Sequence, residues 1–210
     1  MLKWQLYYNL CMISVAIQAG GRSRRMGQDK ALLPFLGKPL IARVIHRVAS
    51  LGDELLITTN NPEDYLIFKV PLYRDVLPEN GALGGLYTAL SVSRFPIVIV
   101  VACDMPFVCA EILSMSIDML QANNADVVIP KTENGYEPFH AVYRREICLP
   151  AIKSAIESGE KRLISWFSEA NILPIHESEL LVHDSQRIAF INLNTKQDFN
   201  HAEVLAREHG

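Results

Sequence analysis

Residues 13–30 read ISVAIQAGGRSRRMGQDK, and the fold is decided here. Ile13 to Gln18 is a short apolar run that stops at Ala19-Gly20-Gly21. Strands covered on both faces read as continuous apolar runs, and a glycine turn ends them sharply, so this run predicts a buried parallel strand. Outward from it the chain alternates. Residues 39–50 carry Leu40, Ile41, Val44, Ile45 and Val48 at helical spacing, behind Pro39, whose missing N–H does no harm at a helix start. Residues 54–59 (ELLITT) read as a strand, 83–92 as a helix and 96–102 (PIVIVVA) as a β-branched strand. A helix over 110–121 and a strand over 126–130 (DVVIP) follow, closed by a polar turn at Glu133-Asn134-Gly135. Beyond lie a strand near 140–143, helices near 146–157 and 161–170, and short strands. Strand–helix alternation predicts an α/β fold: a three-layer, Rossmann-like, mostly parallel sheet with helices on both faces. Such sheets bind ligands beyond the carboxyl ends of their strands. The glycine turn at 19–21 and Asp104 both fall just past strand ends, so segments far apart in sequence converge on one crevice.

The totals bound the function. At 210 residues the chain is one domain or at most two, long enough to bury a core without staples. Half of it is apolar and a fifth charged, the composition of an ordinary globular protein. A net charge of −3 argues against coating a nucleic acid, yet a local basic cluster suffices for a small phosphorylated substrate. Cys11, Cys103, Cys109 and Cys148 show no CxxC spacing and join no Cys/His cluster. They are expected to be reduced thiols of a cytoplasmic protein. Residues 1–12 (MLKWQLYYNLCM) lack a small-residue cleavage site, and no run reaches the roughly 18 apolar residues of a spanning helix, so neither a signal peptide nor a membrane partner is expected. That stretch is either an N-terminal extension or lies upstream of a start at Met12. No repeat, low-complexity segment or linker interrupts 13–210, which is expected to be a single domain.

Residues 19–30 hold three glycines, three arginines, a serine and a lysine. Glycine lets the backbone approach a ligand and expose its N–H groups, and a run of such donors makes a concave anion site. Arginine adds bidentate phosphate contacts and lysine a point charge. A basic loop alone is more often merely solvated; the strand in front of it favours a triphosphate site. It is neither a Walker A loop nor GxGxxG. Asp104, at the exposed end of the 96–102 strand, suits Mg²⁺, which takes one or two carboxylates plus substrate oxygens and water; the plainer alternative is a helix cap. Asn60 and Asn61 end the second strand, where asparagine is often only a turn residue. Asp75 precedes Gly81-Ala82-Leu83-Gly84-Gly85, which equally reads as a turn into a helix. Later, His140 reads as a structural histidine, and Lys161 with Arg162 would open a helix after Gly159. In Asn192-Leu193-Asn194-Thr195 the two asparagines face one way on an extended strand, while Thr195 doubles as an N-cap.

The pattern AGG-x-S-x-RMG-x-DK over 19–30 resembles the signature loop of the molybdenum cofactor guanylyltransferase family, within the nucleotidyltransferase class of glycosyltransferase-A-like (nucleotide-diphospho-sugar transferase-like) folds. The resemblance runs from Ile13 to Phe199, with no fixed motif in 145–190. It implies that Gln18, Ala19, Gly20 and Gly21 lie against the nucleotide, that Arg25 and Lys30 face the phosphates, and that Asp104 is the metal ligand. It also implies nucleotide contacts from Asn60, Asp75, Gly81 and Gly84, and acceptor contacts from the Asn192 and Asn194 segment, followed by Asp198. Gln18 stands where the family usually has leucine, and Ala82 where it usually has proline. Gly20 favours guanine over the AAG of related cytidylyltransferases. Residues 13–130 would then be the nucleotide-binding half and 131–210 the acceptor-binding half. The implied reaction moves GMP from GTP to the terminal phosphate of molybdopterin or molybdenum cofactor, with Lys30, Arg25 and Asp104 as the catalytic set and Mg²⁺ as cofactor. Transient contact with molybdopterin-handling proteins or molybdoenzyme apoproteins would follow. The alternatives are a cytidylyltransferase, a sugar-phosphate or other cofactor nucleotidyltransferase, and a non-catalytic GTP-binding module.

Overall fold

The structure is a computed structural model that describes residues 12–20 and 29–209. Strand β1 (Ile13–Gln18) is its centre, buried from Ser14 onward. After a 3₁₀ turn at Lys30–Leu32, a two-stranded ribbon of β2 (Pro34–Phe35) and β3 (Lys38–Pro39) leads into α1 (Leu40–Val48). Strand β4 (Glu54–Thr58) pairs parallel with β1. A 3₁₀ segment, Pro62–Phe68, then brings in the short β5 (Leu72–Tyr73) and α2 (Gly81–Val92). Strand β6 (Ile97–Ala102) flanks β1 on its other edge, also parallel, and leads to α3 (Ala110–Ala122).

The second half uses a different connection. Strand β7 (Val127–Thr132) turns through Gly135, whose φ of +119° an L side chain rarely adopts, into β8 (Gly135–Tyr136). The chain returns as β9 (His140–Arg144), antiparallel to both β6 and β7 and seated between them. The link from β7 to β9 holds no helix, and a parallel return needs a long crossover. Then come α4 (Arg145–Glu157), β10 (Ile172–His176), the single turn α5 (Glu177–Leu180) and α6 (Lys196–His209). The sheet runs β10-β7-β9-β6-β1-β4-β5, with β8 beside β7. It is mostly parallel, as the alternation predicts.

Strand alternation divides the core. Val15, Ile17, Ile57, Ile99 and Val101 pack with α1 and α3 on one face. Ala16, Leu56, Val98 and Val100 pack with α2 and α4 on the other. A third cluster, built on Phe35, Phe107, Leu193 and Phe199, holds α6 against the ribbon. Cys103, Cys109 and Cys148 are buried free thiols, and Cys11 lies outside the described residues. No described helix is long and apolar enough to cross a membrane.

The helix expected over 161–170 is not there. Gly159, at φ +81°, ends α4, and turns with one 3₁₀ segment, Phe167–Glu169, follow. The backbone bonds are i to i+3: Ser165 N–H to the Arg162 carbonyl, Phe167 to Ile164 and Glu169 to Trp166. The tighter winding carries Trp166 into the α4-side core, where its Nε1–H donates to the Leu163 carbonyl at 2.9 Å and its ring meets Phe167 edge-on at 5.1 Å. Burial of one large aromatic thus outweighs helical propensity, and Lys161 and Arg162 stand exposed with no helix N-terminus beside them. Trp166→Ala should destabilise the protein by about 3–5 kcal/mol, the cost of truncating a buried tryptophan, in urea unfolding followed by circular dichroism. A loss below about 1 kcal/mol would mean that the segment is not part of the core.

Candidate active site

Strands β1, β4 and β6 end level with one another, since Gln18 pairs with Thr58 on one side and Ala102 on the other. The ladder continues one residue further: Ala19 N–H donates to the Thr58 carbonyl at 2.8 Å and Cys103 N–H to the Gln18 carbonyl at 3.0 Å. The loops leaving these strands therefore depart from one rim. A crevice on that rim is lined by Gln18, Ala19 and Gly20 from β1, by Asp29 and Lys30, by Cys103 and Asp104 after β6, and by Phe139 and Asn192. Gly20 is exposed, with open space where a side chain would stand.

Lys30 joins three distant parts of the chain. Its ammonium pairs with an Asp104 carboxylate oxygen and donates to Asn194 Oδ1 at 2.9 Å. Both members of the ion pair are mostly covered, with side-chain exposures of 16 % and 14 %. The Asp104 carbonyl accepts from Leu193 N–H at 3.0 Å, so the C-terminal segment is pinned to this loop. Residues 191–194 form neither the expected strand nor a helix; buried Leu193 alternates with exposed Asn192 and Asn194. Thr195 is a true cap: its Oγ1 accepts from Asp198 N–H at 3.1 Å, while Asp198 accepts from the N–H groups of Asn194 and Thr195 at 2.8 Å each. Those backbone donors hold the Asp198 carboxyl below the usual carboxylate range.

Sequence reasoning missed what holds Lys30 in place. Asp29 Oδ1 accepts from Ala31 N–H at 3.1 Å, capping the turn that contains Lys30, and its Oδ2 accepts from the Tyr65 hydroxyl at 2.6 Å. Tyr65 is fully buried, and burial followed by its bond to Asp29 raises the phenol well above its ordinary range. Residues 62–68 wind as a 3₁₀ helix, whose threefold period leaves no amphipathic pattern to read. Arg43 of α1, also missed, donates to the Pro106 carbonyl at 3.0 Å with its guanidinium over the rings of Phe35 and Phe107, which fixes the loop after Asp104.

Other expected residues form a second group. Asn60 Nδ2 donates to Asp75 Oδ2 at 3.0 Å, and neither residue lines the crevice at Lys30. Gly81 is exposed at φ +56° and starts α2. Gly84 is buried; a Cβ there would lie 2.9 Å from the Leu77 carbonyl, so its lack of a side chain serves the turn before the helix. Gly21 and Arg25 lie outside the described residues. Among the described residues no three His, Cys, Asp or Glu side chains group as a metal cage. Of the two carboxylates that line the crevice, Asp29 is engaged by Ala31 and Tyr65, which leaves Asp104 to fit a cation that takes its remaining ligands from phosphate and water.

Comparisons with known proteins bear on the family and the fold. The family model for the MobA-like NTP transferase domain matches residues 15–172. A probable molybdenum cofactor guanylyltransferase of Pelotomaculum thermopropionicum is 33 % identical across 90 % of this chain and 91 % of its own length. A molybdenum cofactor guanylyltransferase of Desulfosudis oleivorans is 32 % identical across 90 % and 93 %. Among solved structures, molybdopterin-guanine dinucleotide biosynthesis protein A of Archaeoglobus fulgidus has a TM-score of 0.80 at 25 % identity, covering 93 % of this chain and 99 % of its own. The 2-C-methyl-D-erythritol 4-phosphate cytidylyltransferase of Thermus thermophilus shares the fold alone, with a TM-score of 0.68 at 14 % identity over 93 % and 99 %.

Beneath the crevice His140 is the structural histidine that its sequence context suggests. It is fully buried, its Nε2 accepts from Cys109 N–H at 3.1 Å, and its ring meets Phe190 at 5.0 Å. Burial lowers its pKa to about 4 from an ordinary 6.5. The unfolded chain therefore takes up a proton near pH 6.5 that the folded chain refuses until about 4, so the stabilisation is full above 6.5 and is lost as pH falls toward 4. The shift corresponds to about 3 kcal/mol. His140→Gln, which keeps an acceptor and cannot titrate, should remove that much of the stability lost between pH 7 and pH 4 in urea titrations. Identical slopes in the two proteins would dismiss His140 as the cause.

Proposed function

The chain belongs to the MobA-like NTP transferase domain family, and on that premise we propose that it transfers GMP from GTP to the terminal phosphate of molybdopterin or molybdenum cofactor, releasing pyrophosphate. The observation that carries this reading is the meeting of Lys30, Asp104 and Asn194 at the strand ends, in a chain a third identical to molybdenum cofactor guanylyltransferases. It puts a cation, a carboxylate and an amide where a triphosphate and a phosphate acceptor would face each other.

In the proposed reaction an oxygen of the acceptor phosphate attacks the α-phosphorus of GTP. One P–O bond forms as the bond to pyrophosphate breaks, in line. The acceptor is itself the nucleophile, so no covalent enzyme intermediate and no protein base is required. The protein contributes position and charge. Lys30 and Arg25 neutralise the phosphates, and the backbone at Gly20 and Gly21 offers N–H groups to them. Asn60 and Asp75 face the nucleoside, and Asn192 and Asn194 the pterin side. Asp104 would hold Mg²⁺, which would supply positive charge to offset that developing on the leaving pyrophosphate. The tie from Tyr65 through Asp29 keeps the Lys30 backbone fixed while its ammonium exchanges Asp104 for phosphate.

The assay is pyrophosphate release from GTP in the presence of molybdopterin and Mg²⁺, with CTP, ATP and UTP as competitors. Lys30→Ala and Asp104→Ala should each lose at least about a hundredfold in rate, the scale of one removed electrostatic contact in a closed site. Near-full activity in either variant overturns that residue's role. Release that requires CTP overturns the base assignment, and full activity in chelator overturns the metal.

A further inference from the structure

Two carboxylates, Asp29 and Asp104, line the crevice, and a triphosphate entering it meets both. Asp104 pairs with the Lys30 ammonium. Asp29 stands one residue before that lysine. A carboxylate there works against a phosphate site in two ways. It repels the incoming polyanion, and it competes with it for the neighbouring ammonium. The fold therefore has to dispose of the Asp29 charge, and both of its oxygens are taken by neutral donors. Oδ1 accepts from Ala31 N–H at 3.1 Å and Oδ2 from the Tyr65 hydroxyl at 2.6 Å. The first bond is local and comes with the turn. The second comes from 36 residues along the chain.

A braced segment delivers that second donor. Pro62–Phe68 carries the Tyr65 ring into the core, 6.1 Å from Phe68, and leaves Leu66 and Ile67 on the surface. Arg74 clasps the segment from outside, donating to the Asn60 carbonyl at 2.8 Å and to Glu63 at 2.6 Å. Lys69, at φ +54°, ends it. Tyr65 is fully buried, so its hydroxyl reaches neither water nor a ligand in the crevice. Phenylalanine would fill the same core, and packing therefore does not account for the hydroxyl. Burial keeps the phenol protonated far above neutral pH, so it remains a donor to Asp29.

We propose that Tyr65 is a positioning residue that holds the Asp29 carboxylate in its cap, so that Lys30 serves the triphosphate and Asp29 does not oppose it. The proposal rests on the reading of the crevice as a nucleoside triphosphate site. Tyr65 touches neither substrate nor metal and acts only through Asp29. Without the hydroxyl, Asp29 keeps one local bond and a free oxygen at the crevice. One hydrogen bond to a charged group corresponds to about tenfold or more in an equilibrium, and here that loss falls on the binding of a polyanion.

The test is a double-mutant cycle on GTP binding, by titration calorimetry of the full chain in Mg²⁺ and without acceptor. The four proteins are wild type, Tyr65→Phe, Asp29→Asn and the double variant. Tyr65→Phe keeps the ring in the core and removes the hydroxyl. Asp29→Asn keeps an oxygen for Ala31 N–H and removes the charge. In the wild-type background Tyr65→Phe is expected to weaken GTP by about tenfold. In the Asp29→Asn background the same change is expected to weaken it by less than about twofold, the limit of additive behaviour. A phenol that serves stability alone would lower the melting temperature and cost the same affinity in both backgrounds, which overturns the role. Unchanged or tighter GTP binding by Tyr65→Phe overturns it as well. A loss of about tenfold or more in Asp29→Asn alone makes Asp29 itself a ligand and also overturns it. Absence of GTP binding by the wild type overturns the reading of the crevice and the role of Tyr65 with it.

Discussion

Strand β1 is hydrogen-bonded in parallel along both edges, and much of the molecule is arranged around that constraint. A strand in this position cannot slip by one residue without turning Val15 and Ile17 from the α1 and α3 face to the α2 and α4 face, where Ala16 now fits. Locking its register locks the level at which β4 and β6 end. The bonds from Ala19 to Thr58 and from Cys103 to Gln18 extend the lock one step past the strands. The end of β1, the Asn60 turn and the Asp104 loop are therefore set at one rim by core packing, and the Asn60 bond to Asp75 and the Arg43 bond to the Pro106 carbonyl hold two of them further. The C-terminal segment is tethered by the bond from Leu193 to the Asp104 carbonyl and by the cluster around Phe35 and Phe199.

The parts of this arrangement that were legible in the sequence are those that obey a period. Residues 13–18, 54–58 and 97–102 are apolar because both faces are covered, and such runs announce strands whatever their neighbours. Helix α1 shows its buried stripe at Leu40, Ile41, Val44 and Val48. The glycine turn at 19–21 and Asp104 could be brought together in advance because both follow strand ends of a parallel sheet, and Lys30, 12 residues past β1, joined them through the loop pattern. The seat of β9 between β6 and β7 could not be read, because its residues are buried like those of any central strand and the antiparallel return depends on the turn at Gly135. The segment 161–170 misled for another reason: its residues favour a helix locally, and one buried indole decides otherwise.

Within the site the division is the same. Chemistry that resides in a single charged side chain was visible; chemistry that resides in what holds such a side chain was not. Asp29 lies next to Lys30 in the loop pattern, yet its value comes from Tyr65, 36 residues away, which no periodicity marks. Gln18 was visible only as a departure from the leucine usual in the family. That its amide lies on Gly85, beside the hydroxyl of Thr58, depends on register and on a helix that arrives 67 residues later.

The ion pair at the centre explains why such indirect supports matter. A lysine on a loose tether, facing an incoming triphosphate, would swing to whichever anion came first, and the entropy lost on ordering its chain would offset much of the Coulomb gain. Here the ammonium is already ordered between Asp104 and Asn194, and its backbone is capped by Asp29. Phosphate can therefore take the place of Asp104 around a cation that does not travel. The carboxylate so released would stand beside the polyanionic triphosphate, an arrangement that is unfavourable unless a divalent cation enters with the nucleotide. In the proposed reaction, the contact that positions Lys30 would thus make the carboxylate's freedom conditional on metal and triphosphate arriving together.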